Sequence, residues 1–145
     1  FQKEKISIQN LILSDQTIPE PSSVEKNSIF IFDDIMCDPQ MAMRNYFSMG
    51  RHNSLDIFYL AQTYARIPKH LIRDNCNFII LFAQDAMNLK HVYDDYVSGD
   101  MSFDMFQNMC RKCWDSTKYG FLTINRENQK NKGRYRRGLD ELIDI

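Results

Sequence analysis

Short runs of apolar residues alternate with polar segments along this chain, and they predict four buried strands. Each run is bounded by polar or turn-forming residues, which is typical of strands that are covered on both faces. The runs occupy residues 29–32, 55–61, 78–82 and 119–124. Apolar residues at helical spacing predict helices over residues 40–49, 69–74, 86–97 and 102–115.

This order of strands and helices predicts an α/β fold with a mainly parallel central sheet flanked by helices. Ligands of such sheets bind at the carboxyl ends of the strands. We assign residues 29–124 to this core and residues 1–28 to a poorly defined strand and loop that lead into it. Residues 125–145 are first basic and then acidic, with net charges of +5 and −3, and we expect a solvated tail.

Composition narrows the class of protein. Of the 145 residues, 43% are hydrophobic, which is enough to build a core and excludes global disorder. The net charge of −1 excludes a bulk polycation that coats nucleic acid. No apolar run approaches the roughly 18 residues of a membrane span, and the first residues lack a signal-peptide pattern, so we expect a soluble, intracellular protein. The chain does not begin with Met, and we interpret it as a piece of a longer one.

The four cysteines do not indicate a disulfide scaffold, because their density is low. Cys110 and Cys113 have the spacing of a zinc half-site or a redox pair. Further zinc ligands at close spacing are lacking in the sequence, and residues three apart share a helix face, so two packed thiols are the simpler interpretation. A calcium loop that starts at Asp94 would place Tyr96 at a ligand position, which excludes an EF-hand.

Two carboxylates follow the first strand. Asp33 and Asp34 come directly after the apolar run, which is the arrangement of a Walker B element. The first carboxylate of such an element holds Mg²⁺, and the second orients and deprotonates the attacking water. Gln62 follows the second strand, so if the two strands are adjacent and parallel it lies beside the carboxylates. Arg51, beside Gly50, is a candidate for binding phosphate. A strand that merely ends in an acidic turn and a surface arginine are the alternatives.

These elements together resemble the second half of an FtsK–HerA superfamily ATPase. The resemblance is greatest to the genome-packaging ATPases of large double-stranded DNA viruses, virophages and Maverick/Polinton elements. It rests on residues 29–34, on Gly50-Arg51-His52 before the strand that ends at Gln62, and on the Ile67-Pro68…Ile72-Arg73-Asp74-Asn75 segment before the third strand. It covers roughly residues 27–82 and weakens through residue 124.

The resemblance implies a P-loop NTPase-like fold of the RecA-like (ASCE) type, with ATP and Mg²⁺ as cofactors. It implies that Asp33 binds Mg²⁺, that Asp34 is the catalytic carboxylate and that Gln62 senses the γ-phosphate. It also implies an arginine finger that reaches a neighbouring subunit, with Arg51 as first candidate and Arg73 as second. Such a finger implies a homo-oligomeric ring, with double-stranded DNA and capsid or portal proteins as partners.

The sequence departs from this family at one essential element. It contains no GxxxxGK[ST] loop, since none of its five glycines is followed by Lys-Ser or Lys-Thr. The family carries that loop upstream of Walker B, so we expect either a longer chain that supplies it or a degenerate copy. Without it, the nest of amides and the lysine that hold the phosphates are missing.

The expected function is therefore part of a motor that packages double-stranded DNA, in the cytoplasm or nucleus of a host and in association with the virion. Two alternatives remain: another FtsK–HerA pump, for conjugation or chromosome segregation, and a non-catalytic interaction domain derived from such an ATPase. The basic residues Arg134, Arg136 and Arg137 are candidate DNA contacts, with a solvated tail as the alternative. No membrane partner is expected.

Overall fold

The computed structural model describes residues 18–33 and 40–145, and these form a mixed α/β protein. Single helical turns occur at Pro21–Ser23, Gly50–Asn53, Tyr64–Arg66 and Lys69–Arg73, the last of them a π-type turn. The longer elements are β1 (Ser28–Asp33), α1 (Gln40–Met49), β2 (Leu55–Leu60), β3 (Phe78–Leu81), α2 (Ala86–Tyr96), α3 (Phe103–Trp114), β4 (Leu122–Asn125), β5 (Tyr135–Arg137) and β6 (Glu141–Leu142).

Strands β1 and β2 form a parallel pair, as the sequence predicts. Their register aligns Ser28 with Leu55 and Asp33 with Leu60. Helix α1 covers one side of this pair, where Phe32 and Tyr46 are both buried and their rings meet edge to face at 5.3 Å. The Tyr46 hydroxyl donates a hydrogen bond to the Pro19 carbonyl at 2.7 Å, which satisfies its polar atom inside the core.

The other four strands form an antiparallel sheet in the order β3-β4-β5-β6. The expectation of a mainly parallel sheet therefore holds for β1 and β2 and is wrong for β3 and β4. Two consecutive helices lie between β3 and β4, and the second returns the chain in the direction opposite to the first. The next strand consequently enters antiparallel to β3, whereas a single crossover helix would have brought it back parallel.

The C-terminal segment is part of this sheet and not the solvated tail that its charge pattern predicts. Tyr135 on β5 is completely buried, and its hydroxyl donates to Asp100 Oδ2 at 2.7 Å. It packs in a core cluster with Leu89 of α2, Phe106 of α3 and Ile124 of β4. Arg136 and Arg137 of the same strand are only half-buried, so β5 buries its tyrosine and keeps its two arginines nearer to solvent.

Strands β2 and β3 belong to different sheets and do not pair. Near their amino ends, Arg51 and Asn77 both donate to Glu127 Oε1. Beyond their carboxyl ends, the Ala65 amide donates to Asn88 Oδ1 at 3.0 Å. Within the described ranges, β2 pairs only with β1 and β3 only with β4, so each of these strands retains one unpaired edge.

The burial of Tyr135 generates a stability prediction. Tyr135→Ala should lower the free energy of unfolding by about 3–5 kcal/mol, because it removes a fully buried aromatic ring and leaves a cavity. Tyr119→Ala is the matched control, since this side chain is 70% exposed, and should change it by less than about 0.5 kcal/mol. Urea unfolding followed by circular dichroism measures both. Equal, small effects would show that residues 125–145 do not pack as described.

Candidate functional site

The parallel pairing brings two predicted site residues to one end of the strand pair. Asp33 is the last residue of β1 and lies level with Leu60, the last residue of β2. Strand alternation puts Leu60 on the side of the sheet that also carries Asp33, and Gln62 follows two residues later in the bend beyond the end of β2. Both polar side chains are exposed. Asp34, the predicted catalytic carboxylate, lies outside the described residues.

The side of the strand pair that carries Asp33 is strongly apolar. Its large side chains are exposed, from 44% for Phe58 to 62% for Ile29, and they form what we call the open face: Ile29, Ile31, Phe58 and Leu60. Parallel sheets normally bury both faces, and the opposite side of this pair is indeed packed against α1. The site therefore consists of two polar groups at the carboxyl end of an uncovered apolar surface.

Arg51 lies at the other end of β2, in the turn Gly50–Asn53 that precedes the strand. The strand alone spans about 17 Å, so Arg51 cannot reach the carboxyl end of its own β2. Its side chain is 76% exposed, and its contact is an ion pair with Glu127, with Nη2 3.1 Å from Oε1. Exposed pairs of this kind contribute little stability, so the guanidinium can leave Glu127 at small cost.

Arg73 is held in place far more firmly. Its side chain is only 15% exposed, and Nη1 lies 2.7 Å from Asp95 Oδ2. Its guanidinium also stacks over the ring of Tyr64, 4.9 Å from the centroid. Burial opposes the ionisation of Asp95, but the hydrogen bond from Tyr64 and the charge of Arg73 outweigh it and hold the pKa of Asp95 below its usual value. Of the two candidate arginine fingers, Arg51 is exposed and accessible to another molecule. Arg73 is held inside its own chain by Asp95.

The three candidate DNA contacts are engaged within the chain. Arg134 Nε lies 2.8 Å from Asp100 Oδ2, and Arg137 Nη1 lies 3.2 Å from Glu141 Oε1. Arg136 donates to the carbonyls of Gly133 and Leu139. These side chains are half-buried, so contact with a phosphate would have to compete with the existing partners.

The cysteines of α3 are core residues. Cys110 and Cys113 are completely buried free thiols, and burial raises the pKa of each. Thiols with raised pKa values are poor nucleophiles and poor metal ligands. No group of three or more His, Cys, Asp or Glu side chains in the described part of the chain is arranged to hold a metal ion.

Sequence reasoning missed the residues that anchor the turn after β2. Tyr64, Asn88, Asp95 and Arg126 carry this role. Asp95 pairs with a residue 22 positions earlier and Arg126 with carbonyls about 50 positions earlier, so local spacing contains no signal of either contact. Asn88 did carry a weak signal, because it is a polar residue on the apolar side of the predicted helix 86–97.

Comparison with known proteins leaves the chain without a match: no family model, curated protein or solved structure resembles it significantly. A further search of the described ranges found no helix long and apolar enough to cross a membrane.

The two arginine ion pairs should respond differently to removal of the acidic partner. Asp95→Asn should lower the free energy of unfolding by about 2–3 kcal/mol, because Arg73 would keep a mostly buried charge without its counter-ion. Glu127→Gln removes the exposed partner of Arg51 and should cost less than about 0.5 kcal/mol. Chemical denaturation at neutral pH gives both values, and a larger loss in Glu127→Gln would contradict the assignment.

Proposed function

We propose that this chain is the Walker B, sensor and arginine-finger portion of an ATP-driven motor that packages double-stranded DNA into viral capsids. The observation that carries the proposal is the parallel register of β1 and β2, which ends with Asp33 level with Leu60, two residues before Gln62. An acidic residue and an amide at adjacent strand ends match what the FtsK–HerA resemblance requires. In this proposal the fold is P-loop NTPase-like, and the described residues form the part without the P-loop strand.

The donor set at this end suits a nucleotide with magnesium. Mg²⁺ in nucleotide sites is held by one or two carboxylates together with phosphate oxygens and water, so the single exposed carboxylate of Asp33 is sufficient on the protein side. When bound, Mg²⁺ offsets negative charge on the phosphates. The Gln62 amide would contact the γ-phosphate or orient the attacking water, and Asp34 would accept its proton.

The uncovered surfaces support a missing strand, loop and helix. Phe78 and Ile80 of β3 are exposed like the side chains of the open face, and β2 and β3 each have an unpaired edge among the described residues. A further strand would use those edges, and the helix after it would cover the apolar side. The loop that joins them would emerge at the carboxyl end beside Asp33, where helix amino termini bind phosphate.

The position of Arg51 supports a ring. Because β2 separates it from the carboxyl end of its own subunit, its exposed guanidinium would act on a neighbour's nucleotide rather than on its own. Repetition of that contact around an axis closes a homo-oligomer. In the proposed motor this ring encircles double-stranded DNA and docks on capsid or portal proteins, and Arg134, Arg136 and Arg137 are candidate DNA contacts that would first have to exchange partners.

One observation favours a second candidate, a non-catalytic interaction domain derived from such an ATPase. No GxxxxGK[ST] loop is present among the 145 residues, so turnover depends on sequence elsewhere. A third candidate, another FtsK–HerA DNA pump, shares the whole mechanism and differs in its partner. A gene for a capsid protein beside this one would favour the packaging motor.

The decisive test is ATP turnover by the longest natural chain that contains this sequence. Asp34→Asn and Asp33→Asn should each lower kcat by about 100-fold or more, because they remove the catalytic carboxylate and the magnesium ligand. Asp56→Asn is the matched control. Asp56 is an exposed carboxylate on the same side of the strand pair as the open face, but it lies at the amino end of β2, away from the site. Phosphate release with Mg²⁺-ATP, with and without double-stranded DNA, measures all three.

Turnover that falls in both site variants and not in Asp56→Asn supports the motor. Wild-type turnover that is absent even with DNA overturns the enzymatic proposal and favours the interaction domain. Equal losses in all three variants would point to a general effect of charge and would contradict the assigned roles.

The 145 residues alone should bind ATP poorly. They offer a carboxylate and an amide but no loop of backbone amides and no lysine for the phosphates. Isothermal titration of this chain with Mg²⁺-ATP should give a dissociation constant weaker than about 100 μM, which corresponds to less than about 5.5 kcal/mol of binding energy. Low-micromolar affinity would contradict the need for a separate P-loop.

A further inference from the structure

The turn that follows Gln62 is tied to α2 by two hydrogen bonds. The Tyr64 hydroxyl donates to Asp95 Oδ2 at 2.8 Å, and the Ala65 amide donates to Asn88 Oδ1 at 3.0 Å. Tyr64 and Asn88 are each only 8% exposed, so both bonds are at least partly shielded from water. Hydrogen bonds protected from water hold their geometry more strictly than surface contacts do.

Asp95 is the centre of this anchor. Besides the Tyr64 hydroxyl, its carboxylate accepts from Arg73 Nη1 at 2.7 Å and lies 3.3 Å from Lys69 Nζ. Three donors thus converge on one carboxylate that is 15% exposed. The arrangement joins the turn after β2, the π-type turn before β3 and α2.

A second set of contacts holds the backbone of Arg73. The Tyr96 hydroxyl and Arg126 Nη1 both donate to the Arg73 carbonyl, at 2.7 and 3.0 Å. The Arg126 guanidinium stacks on the Tyr96 ring, 4.9 Å from its centroid, and also donates to the Cys76 carbonyl. These contacts hold the backbone from which the Arg73 side chain extends.

We infer that Tyr64, Asp95 and Arg73 are positioning residues for Gln62, because they fix the turn Tyr64–Arg66 that follows it beyond the carboxyl end of β2. Gln62 and Tyr64 are two positions apart, so their Cα atoms lie within about 7 Å, and a shift of the Tyr64 backbone is transmitted to Gln62 through one residue. A reacting amide must be held to within a fraction of an ångström, which an unanchored single turn would not achieve. Arg73 then serves its own subunit, and Arg51 alone remains as the finger.

This inference rests on the proposed function, and a double-mutant cycle separates the two. The variants are Tyr64→Phe, Gln62→Ala and their combination in the longest natural chain, with kcat and KM for Mg²⁺-ATP as readouts. Phenylalanine keeps the buried ring and loses only the hydroxyl. Tyr64→Phe should lower kcat about tenfold and leave KM within about twofold, because Gln62 acts on the reacting phosphate and not on general binding.

The combined variant shows whether Tyr64 and Gln62 act together or independently. If Tyr64 acts through Gln62, Tyr64→Phe should have no further effect once Gln62 is alanine. An equal tenfold loss in that background overturns the inference, since it would show an independent effect on stability or folding. Normal turnover in Tyr64→Phe, with loss in Gln62→Ala, overturns it as well and leaves the proposed function intact. If the wild type shows no turnover, the proposed function and this inference are both overturned. If Gln62→Ala turns over normally, the inference is overturned, because Gln62 then has no catalytic role for which it must be positioned.

Amide hydrogen exchange provides a measurement that needs no turnover. Asp95→Asn should lower the protection of the Ala65, Arg66 and Ile67 amides about tenfold or more, and the amides of α3 should lose protection only by as much as the free energy of unfolding falls. Asp94→Asn is the matched control, because Asp94 lies next to Asp95 on α2 but forms only an exposed pair with Lys90. Unchanged exchange in Asp95→Asn, or equal acceleration in both variants, overturns the anchoring role.

Discussion

The parallel, in-register pairing of β1 with β2 is the constraint on which the rest of this structure depends. It aligns the strand ends, so the residues that follow the apolar runs meet at one edge while those that precede them stay about 17 Å away. Burial of Phe32 beneath Tyr46 fixes which side of the pair faces α1. Because strand alternation then directs Asp33 to the opposite side, one packing choice determines the position of the polar groups and the exposure of the apolar ones.

Each sheet has its own cluster of buried hydrophobic residues. Tyr64, in the turn after β2, belongs to the cluster of the antiparallel sheet and also donates to Asp95 on α2. The link from the end of β2 to that sheet therefore combines apolar burial with a hydrogen bond to a carboxylate that Arg73 also contacts. A carboxylate with several matched donors resists displacement, because each donor would lose its partner.

The sequence predicted the existence and type of the elements well and their pairing only in part. The runs at residues 29–32 and 55–61 lie in the strands that the structure contains, because buried strands leave a compact apolar signature. The burial of a strand gives no information about which strand pairs with it or in which direction. The sequence therefore did not predict the antiparallel pairing of β3 with β4. The basic segment around Arg134 and Arg136 looked solvated because the few apolar residues of β5, chiefly Tyr135, are outnumbered by charges. Asp33 and Gln62 could be found from the sequence since the sheet topology brings strand ends together, but Asp95 could not.

The open face also bears on how the chain behaves in water. Ile29, Ile31, Phe58 and Leu60 are exposed to between 44% and 62%. Exposed apolar patches promote aggregation, so polar side chains at these positions would favour solubility. The same four side chains therefore limit solubility while they are bare and would stabilise an assembly in which another layer covered them.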